Sequence, residues 1–209
     1  MNRSIIKENA KKFAFNNKWN IWKPFLIMYA IVYGITFLLA FFLRLDPEGN
    51  IYTLVDLGLS IATMPLTVGV MYYLINLVRG KKVDVFKDLF SKYNIFVLIL
   101  LTTLYIGAMT FVWLLLLIIP GIIYSYKVIM VPFLLADEDI NSKSATELVE
   151  LSKKMMDGYK MDYFIFQLSF IGWILLCFVT CGIACIWVIP YIEVASVMYY
   201  EELKKNRLK

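Results

Sequence analysis

Four long apolar stretches dominate the chain, at 24–43, 51–78, 95–136 and 163–200, with short segments rich in Lys and Arg between them. The first, PFLIMYAIVYGITFLLAFFL, carries no charge. A helix rises ~1.5 Å per residue and bilayer hydrocarbon is ~30 Å thick, so about 20 such residues form one span. This segment starts late, runs long and has no small-residue cleavage site after it, so it reads as a span and not as a signal peptide. The stretch 95–136 holds Lys127 as its only charge. It and 163–200 are too long for one span each.

Charge decides how often each stretch crosses. Nineteen of the 21 basic residues fall in 1–23, 79–92, 137–160 and 203–209, leaving only Arg44 and Lys127. Lys and Arg gather on the cytoplasmic side of a membrane, so each apolar block must cross an even number of times. The pattern predicts an all-α polytopic membrane protein, one domain over 1–209. Its six transmembrane helices form three hairpins at 24–43, 51–78, 88–107, 110–136, 163–180 and 183–200, with both termini cytoplasmic. The outer connections are 44–50, whose Pro and Gly are turn formers, a tight turn near 107–109, and one near 180–185 around Gly182. The third helix begins within the amphipathic stretch 85–93, with Lys87 and Lys92 snorkelling at the interface.

Two segments read as helical without spanning. In 1–23, Ile5, Ile6, Ala10, Phe13, Ala14 and Asn17 fall at helical spacing against Lys7, Lys11, Lys12 and Lys18, with Trp19 and Trp22 at the end. This predicts a basic amphipathic helix on the inner leaflet, where anionic lipid attracts each cation by ~1 kcal/mol; a plain topology-setting flank is the equal alternative. Within the cytoplasmic segment 137–162, a helix is expected at about 144–157. Ser144 and Glu147 form its capping box and Gly158 stops it. Packing over the inner ends of the bundle is favoured over docking a partner.

Composition agrees with lipid as the solvent. The chain is 61% hydrophobic with a mean hydropathy of +0.71, against ~45–50% apolar in soluble domains. It has no histidine, the commonest general base and metal ligand, and no nucleophile-elbow, zinc-protease, P-loop or dinucleotide fingerprint. Its acids sit mainly in the basic loops. An enzyme, a cofactor and a nucleic-acid partner are not expected. Cys177, Cys181 and Cys185 repeat every four residues, which would put three soft ligands on one helix face. Gly182 breaks that helix between them, so no metal is expected either.

The intramembrane charges remain. By helical rise Lys127 lies about 13 Å from the inner end of its helix and Glu193 about 10 Å from the end of its own, which predicts that they meet as an ion pair. Three readings compete: a pair fixing helix register, a proton- or ion-coupled site, and two side chains that snorkel separately. Asp56 is an outer-interface acid. Pro120 and Gly121 predict a break in the fourth helix, with Pro132 further on. Pro65 and Pro190 predict kinks, since each proline frees the carbonyl four residues earlier, at Ile61, Leu116 and Ile186. The tetrapeptide VMYY occurs at 70–73 and 197–200, weak evidence for a repeat, with its tyrosines placed at an inner aromatic belt.

The runs PGIIYSYKVIMVPFLLAD, KKMMDGYK, QLSFIGWILL and IPYIEVASVMYYEEL resemble one uncharacterised family of bacterial integral membrane proteins, strongly over 113–203. That family is distantly similar to the non-catalytic membrane region of some glycerophosphodiester phosphodiesterases. The resemblance implies a six-helix membrane fold in a bacterial plasma membrane and supplies no activity. The function expected is accessory or protective: membrane organisation, an immunity-like role, or service to a transporter as a subunit. A small-solute or lipid transporter with a polar site near the fourth helix is the alternative.

Overall fold

A computed structural model describes residues 2–43, 49–137 and 144–207. Most of the expected outer connection at 44–50 lies outside these. Among the described residues every regular element is helical. They run α1 (Arg3–Asn16), α2 (Lys18–Leu43), α3 (Asn50–Val78), α4 (Val85–Phe90), a 3-10 turn (Ser91–Ile95), α5 (Phe96–Leu116), α6 (Ile118–Val128), α7 (Val131–Ala136), α8 (Ala145–Met155), α9 (Lys160–Leu168), α10 (Ile171–Val179) and α11 (Cys185–Arg207).

Five helical segments are long and apolar enough to cross a membrane: Lys18–Phe42, Asn50–Val78, Val85–Leu116, Ile118–Ala136 and Lys160–Val179. They mark a multi-pass membrane protein. The sixth expected span, now α11, is not among them. Glu193, Glu201 and Glu202 and the paired Tyr199 and Tyr200 dilute its apolar character.

Several helix limits differ from the sequence expectation. The turn expected at 107–109 falls inside α5, which runs unbroken to Leu116. The chain reverses instead at one residue, Leu117, in extended conformation (φ −162°, ψ 139°). Close packing accompanies this turn: a Cβ on Gly121 would lie 2.6 Å from Leu114 Cδ2, 2.8 Å from its Cγ and 3.1 Å from its Cα, so glycine lets α6 lie back along α5 without displacing Leu114. Pro120 is therefore no break. It stands in the first turn of α6, where a missing N–H leaves no bond unmade. The real interruption of the fourth span is at 129–130, one turn before Pro132 in the first turn of α7. Pro65 and Pro190 lie buried inside α3 and α11.

The core is concentrated at one end. Leu74, Ile75, Leu89, Leu134, Leu148, Met155, Phe166 and Leu203 are almost wholly buried there. Away from it, α2 beyond Tyr33, the start of α3 and the tip of the α5–α6 hairpin expose Phe37, Phe41, Leu54, Leu115 and Ile119. Three of the four VMYY tyrosines belong to this core and not to a lipid-facing belt: Tyr73, Tyr199 and Tyr200 are at most 1% exposed, while Tyr72 is partly buried against it. Lys92 likewise does not snorkel. It is 4% exposed, with its ammonium 4.4 Å above the Tyr72 ring. Helix α8 closes the core, started by a capping box in which Ser144 and Glu147 bond each other's backbone amides. Its Ser152 hydroxyl donates to the Lys127 carbonyl (2.9 Å).

Candidate functional site

The charged side chains that meet are not the ones the sequence singled out. Three helix ends converge where the core is densest: Arg79 just after α3, Asp137 just after α7, and the last turns of α11. The Arg79 guanidinium grips Asp137 with two bonds (3.0 and 2.8 Å) and donates through Nε to Glu201 Oε1 (3.0 Å). Tyr200 Oη donates to Asp137 Oδ2 (2.9 Å), and Lys204 Nζ lies 2.5 Å from the same oxygen. Asp137 is 1% exposed. Such a charge is tolerated inside a protein only when paired and hydrogen-bonded. Burial pushes the Asp137 carboxyl up, but hydrogen bonds from Arg79, Lys204 and Tyr200 outweigh it and hold the group well below the usual carboxylate range. The hydrogen bond to Asp137 raises Arg79 further above its ordinary value.

A second polar seam ties α1 to the bundle. Arg3 Nε reaches Asp162 Oδ1 (3.3 Å), whose other oxygen accepts from Tyr199 Oη (2.9 Å). Lys7 Nζ donates to the Ser169 carbonyl (3.1 Å) and sits 4.7 Å from the centre of the Phe170 ring. The face of α1 expected on lipid is thus partly spent on protein: Ile6 and Ala10 are buried. Ile5 and Phe15 remain exposed.

Lys127 and Glu193 are not brought together: among the described residues no ion pair joins them. The matched depths assumed straight helices, and the fourth is broken at 129–130. Glu193 is half-buried on α11. Beside Lys127, Tyr126 Oη donates to Gln167 Oε1 (3.0 Å). Asp56 is exposed in the second turn of α3. The three cysteines are free thiols: Cys177 buried, Cys181 exposed, Cys185 between. They sit at the turn joining α10 to α11, where Gly182 has φ +88°.

The Asp137 cluster eluded sequence reading because Arg79 and Asp137 are 58 positions apart and each looks like a solvated flank. One signal was available: Asp137 follows directly on the apolar run 128–136 and so cannot leave the core.

Residues 106–207 match a family model described as a protein of unknown function (DUF975). The matched region contains the whole 113–203 stretch and contributes Asp137, Tyr200, Glu201 and Lys204, but not Arg79. No curated protein and no solved structure matches the chain.

Proposed function

We propose that this is a non-catalytic protein of a bacterial plasma membrane, accessory or protective in role, with both termini on the cytoplasmic side and anionic lipid or another membrane protein as its partner. The observation that carries this reading is the saturation of Asp137. Both its oxygens accept hydrogen bonds from the protein and its side chain is 1% exposed, so the most buried acid of the densest charged cluster is closed to a substrate. Such a cluster holds helices together. Purification in a mild detergent tests the role, with a stoichiometric second membrane protein, such as a transporter subunit, expected to accompany the chain. A chain that purifies alone and moves solute across liposomes, with the flux lost in Glu193→Gln, would make it a transporter instead.

Six full crossings fit this molecule less well than a shallower third hairpin. Phe170 is at the middle of the Lys160–Val179 segment. If that segment crossed completely, Lys7 beside it would sit at the bilayer centre, where a Lys costs ~2.5–3.5 kcal/mol. Trp22, just before the apolar run of α2, meets Trp187 near the start of α11, ring centres 5.7 Å apart. Both contacts favour a hairpin of α10 and early α11 that enters and leaves by the cytoplasmic face, with the turn at Gly182 inside the bilayer. The termini share a side under either arrangement.

The native thiols test this directly. In intact cells an impermeant maleimide should leave Cys181 unmodified, while Gly49→Cys, in a chain whose three native cysteines are alanine, should react. Modification of Cys181 from outside would restore the full crossing.

A further inference from the structure

We propose that the groove between α2 and α11 is a binding site for one anionic phospholipid of the cytoplasmic leaflet. This rests on the shallow reading of the third hairpin, which sets the groove's mouth at headgroup depth. The backbones of α2 and α11 barely approach each other, yet Trp22 and Trp187 touch across the gap. On either side of that contact the surface opens into apolar hollows that share Trp22. One, of ≈ 180 Å³, is lined by Trp173, Trp187 and Tyr191 together with Lys11 and Lys18. Another, of ≈ 350 Å³, runs along α2 past Tyr29 and Tyr33 toward Cys185 and Ile189. A third, beside Trp19 and Leu26, again reaches Lys18.

The side chains along this path follow an order. Lys11 and Lys18 stand at one end, indole rings follow, and the far end carries no charge, with Phe25, Ile186 and Ile189 beside the Tyr29 and Tyr33 rings. That is the order of a phospholipid read from headgroup to chain. Lys11 and Lys18 flank the elbow at Asn17 between α1 and α2, and both are exposed. Lys18 is held 3.7 Å above the Phe15 ring, so its ammonium stays beside the mouth. Indole at the membrane interface and lysine in the headgroup layer are where these side chains prefer to be. A zwitterionic lipid would bring its own cation along with its phosphate to the two lysines, and so would match them less well than an anionic one. At ~1 kcal/mol per lysine, the two together favour an anionic headgroup by roughly thirtyfold.

Tryptophan reports on this site without a label. The chain has five, and Trp19, Trp22, Trp173 and Trp187 line the hollows; Trp113, on α5, does not. In phosphatidylcholine vesicles carrying a small fraction of brominated phosphatidylglycerol, quenching should far exceed that from the same fraction of brominated phosphatidylcholine. The excess should vanish in Lys11→Ala with Lys18→Ala, persist in Lys12→Ala, and return when both lysines are arginine, which also shows that the chain still folds. Equal quenching by the two lipids, or an excess that survives the double alanine variant, would overturn the site. The hairpin reading fails separately, on the reactivity of Cys181.

Discussion

Asp137→Asn should lower the unfolding temperature of the detergent-solubilised protein by roughly 6–12 °C. The change removes one charge from a buried network and leaves the others in place. Truncating one partner of a buried pair costs ~3–5 kcal/mol. The lower end, about 3 kcal/mol, applies here because Glu201 still faces Arg79 at 2.8 Å. For a chain of this size that corresponds to the stated shift, taking ~2–4 °C per kcal/mol. Asp157→Asn is the control. Its partner Lys160 is 3.4 Å away and its side chain is 78% exposed, so it should be nearly silent. The same carboxylate gives a pH dependence. Its folded pKa lies below its ordinary value of 3.8, so its contribution is complete at neutral pH. That contribution begins to fade as pH falls toward about 4 and is lost as pH passes the folded value. Thermal unfolding followed from neutral to acid pH should show a steeper loss in the native chain than in Asp137→Asn.

Gly69→Ala should destabilise the same melt by ~1–3 kcal/mol, the usual cost of forcing atoms into a packed core. A Cβ at Gly69 would collide with the backbone oxygen of Leu89 and lie 2.8 Å from its carbonyl carbon. Leu89 is wholly buried in α4, and α4 is pinned at its start by the Asp84 carboxylate, which accepts from the Lys87 amide (2.9 Å). The obstacle is backbone on both sides, so no side chain can swing clear. Gly58→Ala, in the same helix, should go the other way. Nothing lies within 4 Å of its Cβ position, and replacing a mid-helix glycine gains ~0.5–1 kcal/mol. A loss at both positions would mean that α3 resists any added methyl group, and the contact with Leu89 would no longer explain Gly69.

Much of the architecture was legible because its signals are local. Charge-free runs of 20 residues or more mark spans whatever surrounds them. The Ser144–Glu147 box works over three residues, and its geometry follows from spacing alone. The α5–α6 turn was not legible, because nothing in LLLLII opposes a helix. The reversal at Leu117 depends on Gly121 fitting against Leu114, which only the folded hairpin can express. Sequence reading placed the turn near 107–109, and those residues lie inside α5. The same gap separates the expected Lys127–Glu193 pair from the observed Arg79–Asp137 network. Depth along one helix can be counted from sequence, but which face of it meets which neighbour cannot. Tyr200 shows this best: read as a belt residue, it is a donor inside the ion cluster.

The one-residue turn at Leu117 bears on how the chain enters its membrane. A hairpin with a polar loop must drag that loop through hydrocarbon before its second helix can settle. Here the leading edge, 111–119, has no charged side chain, and the Trp113 indole N–H is its one polar side-chain group. The two bonds that close the corner, from the Leu117 amide to the Trp113 carbonyl and from the Gly121 amide to the Leu117 carbonyl, spare it four bare backbone groups. Pro120, with no N–H, removes another donor that would otherwise be stripped of water. The pair can therefore slide in as a single wedge, and nothing has to be translocated ahead of it.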